Sequence, residues 1–200
     1  MTADDVRAYP HQIGDALWRI EAAGIPKRSL PGGVRVCGVS HGAAELAAEI
    51  LGDRAQAPVR EGLDSPPADD AFVLVASYSG DDEEALDCFE AAGERGAPRA
   101  VVCTAGALAA RAREQDVPVI GVPAGIEDPQ AAIVYFVLAT LEAAARAGAG
   151  PSLQAELEGA VPTLADLADE QAIDLDEEGR TPAERVLGRL LLRDLDASEP

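Results

Sequence analysis

Lysine is almost absent from this 200-residue chain, in which Lys27 is the only one. Lys and Arg together number 16 against 36 Asp and Glu, for a net charge of −20. So large a deficit of positive charge excludes nucleic acid and an anionic membrane surface as partners, because both are held by a basic face. It does not exclude a small anion, which backbone N–H groups at a helix start hold without a side-chain cation. Aromatic residues are only 4% of the chain, so the core must come from Ala, Val, Leu and Ile. The three cysteines, Cys37, Cys88 and Cys103, form no Cys-x-x-Cys pair. Cys37 and Cys103 lie in apolar strand-like runs and are expected as buried, inert thiols. No metal-ligand spacing, P-loop, G-x-G-x-x-G fingerprint or nucleophile elbow occurs, so no metal and no cofactor are expected. No apolar run reaches the length of a membrane span. The first residues, MTADDVRAYPHQ, lack the basic start and apolar stretch of a secretion signal. The expectation is a cytoplasmic protein.

What is present is a regular alternation. Hydrophobic residues make up 48% of the chain, enough for a real core. The segments 34–40 (VRVCGVS), 57–61 (APVRE), 71–77 (AFVLVAS), 99–104 (RAVVCT) and 117–123 (VPVIGVP) read as strands. Helical spacing marks 3–23, 42–53, 82–95, 106–115 and 129–148, with Pro10 placed in the first turn of the first main helix. Strands of unbroken Val, Ile and Leu imply burial on both faces, hence a parallel sheet between helical layers. After residue 150 the composition turns acidic, and residues 151–200 are expected as a helical extension. Within it, Thr181, Pro182 and Glu184 mark the start of a helix over 181–195.

An open parallel sheet binds ligands at the carboxyl ends of its strands. Here those ends are Ser40-His41-Gly42, Ser77-Tyr78-Ser79-Gly80, Thr104-Ala105-Gly106 and Pro123-Ala124-Gly125. Ser77 and Ser79 offer hydroxyls, Gly80 lets the backbone approach a ligand, and the helix beginning near Asp82 adds free N–H groups and the positive end of a dipole. That combination suits a phosphate. The plainer reading is that Ser79, Asp81 and Asp82 cap a helix. His41 suits contact with a ligand phosphate or proton transfer, although a loop histidine is more commonly a surface residue.

Four segments, GVSHGAAELAAEIL (38–51), LVASYSGDDEEALDCFEAAGERGA (74–97), VVCTAGALAARAREQDVPVIGVPAG (101–125) and DPQAAIVYFVLATLE (128–142), follow in order the pattern of the SIS (sugar isomerase) domains. The likeness covers about residues 8–150. It most resembles the amino-terminal half of the bifunctional phosphoglucose/phosphomannose isomerases, and the SYSG-x-x-EE stretch is its most specific part. The resemblance implies a three-layer αβα sandwich with a five-stranded, flavodoxin-like parallel sheet over residues 1–150. It makes 151–200 a lead-in to a second such domain. It implies a sugar phosphate as ligand and a homodimer as the assembly. Carried over residue by residue, Ser77 and Ser79 match phosphate-binding serines, and Thr104 and Gly106 match the third loop. Gly42 stands where the family has a serine, with Ser40 two residues away. Asp81 and Asp82 stand where it has Asn and Thr, and Gln130 where it has an arginine that steadies developing negative charge. The candidate ligand-binding residues are therefore Ser40, His41, Gly42, Ser77, Ser79, Gly80, Asp82, Thr104 and Gln130. No catalytic residue is assigned, because the family's glutamate and histidine lie in its second domain. Three functions follow: a sugar-phosphate-binding domain with degraded catalysis, an active isomerase completed by a second domain or subunit, or an interaction domain without a small ligand.

Overall fold

The computed structural model describes residues 2–62 and 70–178, without the side chains of residues 3 and 169–178. In chain order it contains α1 (Ala3–Ala23), β1 (Val34–Gly38), α2 (Ala43–Leu51), β2 (Val59–Glu61), β3 (Phe72–Ala76), α3 (Glu83–Glu94), β4 (Arg99–Cys103), α4 (Gly106–Glu114), β5 (Val119–Gly121), α5 (Ile133–Ala147) and α6 (Gln154–Glu178). The helix expected over 181–195 lies outside the described residues, as do residues 63–69.

The five strands form one sheet in the order β2-β1-β3-β4-β5, every neighbouring pair parallel. The expected α/β architecture is thus the observed one. Its cause is visible in β3, where all five residues FVLVA are buried and each face needs its own helical layer. Val34, Val36, Leu74 and Val102 pack with α1, α2 and α5 on one face, while Val73, Val75 and Val101 pack with Phe89 and Leu108 of α3 and α4 on the other. Helix α6 runs along α1 and adds Leu157 and Leu164 to the first cluster.

Chain order places β2 and β3 on opposite sides of β1, so the direction of winding reverses between β1 and β3. In open parallel sheets, such a reversal is where crossover turns diverge and ligands bind. The register Gly38↔Ala76 aligns the two strand ends, and Val39 N–H donates to the Ala76 carbonyl at 2.9 Å. The first and second turns are therefore neighbours on one rim.

Three expectations need correction. Pro10 is not in a first turn but inside α1. A capping box between Thr2 and Asp5 starts the helix earlier, and burial of Val6, Tyr9 and Ile13 holds the turn around the proline. Cys37 is buried but not a free thiol: it is bonded to Cys88, because α3 lays Cys88 on the face of β1 that carries Cys37. Cys103 is the free, buried cysteine among the described residues, and burial, the largest cause, pushes its thiol up to about 11. Finally, Pro129–Ala147 is long and apolar enough to span a bilayer, yet 78% of it is buried inside the protein. It is the central core helix, with its first turn a 3₁₀ turn at Pro129–Ala132.

Candidate functional site

The second crossover turn, residues 77–82, is tied down from several directions. Ser77 is fully buried. Its Oγ accepts from Gly80 N–H at 2.7 Å, and Ser79 Oγ accepts from Asp81 N–H at 3.1 Å. Each hydroxyl then has one proton to give. Both give it to the same atom: Ser77 Oγ and Ser79 Oγ donate to Asp82 Oδ2, the latter at 3.3 Å. Asp82 is the N-cap position of α3, but its side chain makes no capping bond. It turns back to the serines rather than forward to the helix.

The third turn locks against the second. Gly80 has φ 82°, and a Cβ there would lie 2.0 Å from the Ala105 carbonyl oxygen. Gly106 has φ 74°, and a Cβ there would lie 2.6 Å from the Gly80 carbonyl carbon. Only glycine supplies both this conformation and this closeness. Thr104 N–H donates to the Tyr78 carbonyl at 2.9 Å and Leu108 N–H to the Gly80 carbonyl at 2.8 Å. Asp81 Oδ1 accepts from Ala107 N–H, at the start of α4, at 2.8 Å. Tyr78 reaches across to the fourth turn, its hydroxyl donating to the Ile126 carbonyl at 2.6 Å.

In the first turn, Ser40 is buried and its Oγ has no hydrogen-bond partner among the described residues. His41 holds a left-handed φ of 54°, a strained setting for a residue with a Cβ. Its ring meets the edge of Phe136 with 6.0 Å between centroids. Gly42 follows with φ 80° and caps α2. Gln130 sits in the 3₁₀ turn before α5, where its N–H donates to Asp128 Oδ1 at 3.0 Å; among the described residues, no hydrogen bond joins its side chain to the serine turn. The structure thus gathers Ser77, Ser79, Gly80, Asp82 and Thr104 closely, sets Ser40, His41 and Gly42 on the adjoining turn, and leaves Gln130 at a distance in bonding terms. Cavities of about 450 and 330 Å³ lie elsewhere, around Pro58 and, on the edge strand, Arg60.

Sequence reasoning did not foresee a group of three carboxylates on the same rim, Glu45 of α2, Glu61 of β2 and Glu84 of α3. Burial, a hydrogen bond with Glu45 and the charges of Glu45 and Glu84, in that order, raise Glu61 from 4.5 to about 7. Between those values the folded chain holds a proton that the unfolded chain has released, so this group's contribution is present below pH 4.5 and is lost as pH rises through about 7. Glu61→Gln, which keeps the neutral shape, is expected to melt higher than the parent at pH 8 and to match it near pH 4. Parallel melting curves for the two proteins across that range would remove Glu61 as the cause.

This sheet order, with its flanking helices, matches the fold of solved phosphosugar isomerases. A candidate phosphosugar isomerase from Clostridium difficile 630 superposes with a TM-score of 0.61 at 13% identity, covering 89% of this chain and 56% of that one. One from Silicibacter pomeroyi DSS-3 gives 0.56 at 18% identity, over 89% and 61% of the two chains. In sequence, the chain is 30% identical over 107 residues to a bifunctional phosphoglucose/phosphomannose isomerase from Caldicellulosiruptor bescii. That match covers 54% of this chain and 31% of the relative, so the matched part spans under a third of that protein's length. No family model matches the chain. The resemblance read from the four sequence segments is borne out at the level of fold and of this low-identity relative.

Proposed function

We propose that the protein binds a phosphorylated sugar at the carboxyl rim of its sheet and does not interconvert aldose and ketose forms on its own. The observation that carries the reading is the convergence of the Ser77 and Ser79 hydroxyls on a single anionic oxygen. Two hydroxyl donors aimed at one negative oxygen at the start of a helix are what a phosphate oxygen requires. The likeness to phosphosugar isomerases in fold and sequence supports sugar phosphate as the ligand class. Isomerisation needs a base placed to carry a proton between adjacent carbons. The carboxylates nearest the serines, Asp81 and Asp82, are instead committed to hydrogen bonds within the rim. Turnover would then belong to a further domain or subunit. We propose a homodimer as the assembly, as the family resemblance implies, and the cytoplasm as the compartment.

Fructose 6-phosphate and glucose 6-phosphate are expected to raise the melting temperature where the unphosphorylated sugars do not, and Ser79→Ala to abolish the rise. A coupled assay on the purified chain should register no interconversion of the two phosphosugars. Equal melts with phosphorylated and plain sugars would refute the binding half of the proposal, and measurable turnover the other half.

A further inference from the structure

Resting on that reading of the serine turn, we infer that Asp82 is a built-in competitor for the ligand's anionic group: its carboxylate fills the serine cradle, and the ligand must displace it. The hydrogen-bond accounting leads there first. Ser77 Oγ and Ser79 Oγ each accept from a backbone N–H of the turn, so each has only its single proton to offer outward. Asp82 Oδ2 receives both. A ligand oxygen cannot be served by the same protons while that carboxylate stays in place.

The direction of the side chain separates this arrangement from ordinary helix capping. An aspartate at the N-cap normally accepts from the N–H groups of the following first turn. Asp82 makes no such bond. Its negative charge is spent backward, on the hydroxyls that face the rim. Asp81 occupies the neighbouring donor in the same way, accepting from Ala107 N–H at the start of α4. The two acids therefore satisfy the donors of both turns internally.

Charge makes the competition mutual. A phosphate monoester is close to dianionic at neutral pH, and a carboxylate held against the same two hydroxyls repels it. Rotation of the Asp82 side chain toward solvent, where it is already partly exposed, would free both protons beside the first N–H groups of α3, which it does not cap. The ligand then meets a complete cradle. Until then the turn is satisfied and closed, and the apparent affinity is reduced by the fraction of time it spends open.

Titration calorimetry on the whole chain tests the inference, with fructose 6-phosphate, inorganic phosphate and plain fructose as separate probes. Asp82→Asn removes the charge and keeps the shape; Asp82→Ala removes the acceptor altogether without deleting a helix cap. Both variants are expected to bind fructose 6-phosphate and inorganic phosphate at least about tenfold more tightly than the parent, with plain fructose unaffected. If the parent binds fructose 6-phosphate and both variants bind it no more tightly, Asp82 is no competitor, and the reading of the turn as an anion site survives alone. If neither the parent nor either variant binds either anion, the turn is not an anion site and both statements fall. A melting curve for each variant confirms folding, and Asp82→Asn decides should Asp82→Ala fold poorly.

Discussion

Gly80→Ala is expected to lower the melting temperature by roughly 4–20 °C and to erase any response to phosphosugars. Two costs add. The first is conformational: at φ 82° a residue with a Cβ is strained by about 1–2 kcal/mol. The second is steric. The new methyl would lie 2.0 Å from the Ala105 carbonyl oxygen, and that atom is backbone, so it cannot swing aside as a side chain would. Relieving the clash means moving the second turn off the third, which costs about 1–3 kcal/mol by the measure of overpacked interiors. The sum, about 2–5 kcal/mol, gives the stated shift for a domain of this size. The movement would also break the bonds from Thr104 N–H to Tyr78 and from Leu108 N–H to Gly80, which hold the serines in place. Gly42→Ala is the matched comparison. It too sits at positive φ, 80°, but a Cβ there meets nothing within 4 Å. It should cost only the conformational part, and equal melts for the two variants would show that the contact with Ala105 does not govern the turn.

The same turn shows what the sequence could and could not convey. The strand FVLVA and the hydroxyls after it are legible because an unbroken apolar run admits one explanation, burial on both faces, and because the residues following a parallel strand must lie on the ligand rim. The three-residue edge strand β2 carries no such run, since VRE holds two charged residues and none of the three is buried. The direction in which Asp82 points is not legible. Local preference for an acid at a helix start argues for capping, and the serines behind it argue for a phosphate; the structure satisfies neither, joining the acid to the serines. That choice depends on the third turn, which fixes Gly80 through Ala105 and Asp81 through Ala107, 26 residues further along the chain. The pairing of Cys37 with Cys88 is hidden likewise, since the two are 51 residues apart and meet only when α3 packs on β1. The Glu45–Glu61–Glu84 group is invisible until three separate elements arrive at one corner. Pro10 misled because its own preference for a first turn was outweighed by the capping box at Thr2 and by burial of the helix face on either side.

Phe136→Ala should be the most damaging single truncation in the core helix, and its effect should reach the rim. Phe136 is fully buried near the start of α5, a helix that packs on β1, β3 and β4 as well as on α1 and α2. Its aromatic ring belongs to the larger of the two buried apolar clusters. Removing one from a packed interior costs about 3–5 kcal/mol, a fall of roughly 6–20 °C here. Phe136→Leu, which conserves most of the volume, should lose less than about half as much. The reach to the rim runs through His41, whose ring rests edge-on against Phe136. A histidine at φ 54° stays there only while its surroundings insist on it, because the conformation costs about 1–3 kcal/mol. With the ring gone, the first turn can relax and carry Ser40 with it. Hydrogen exchange at the amides of 40–42 should therefore quicken in Phe136→Ala more than at the amides of α4, which touches the opposite face of the sheet. Uniform quickening across both regions would mean that Phe136 supports the fold generally and holds the first turn no more than it holds the rest.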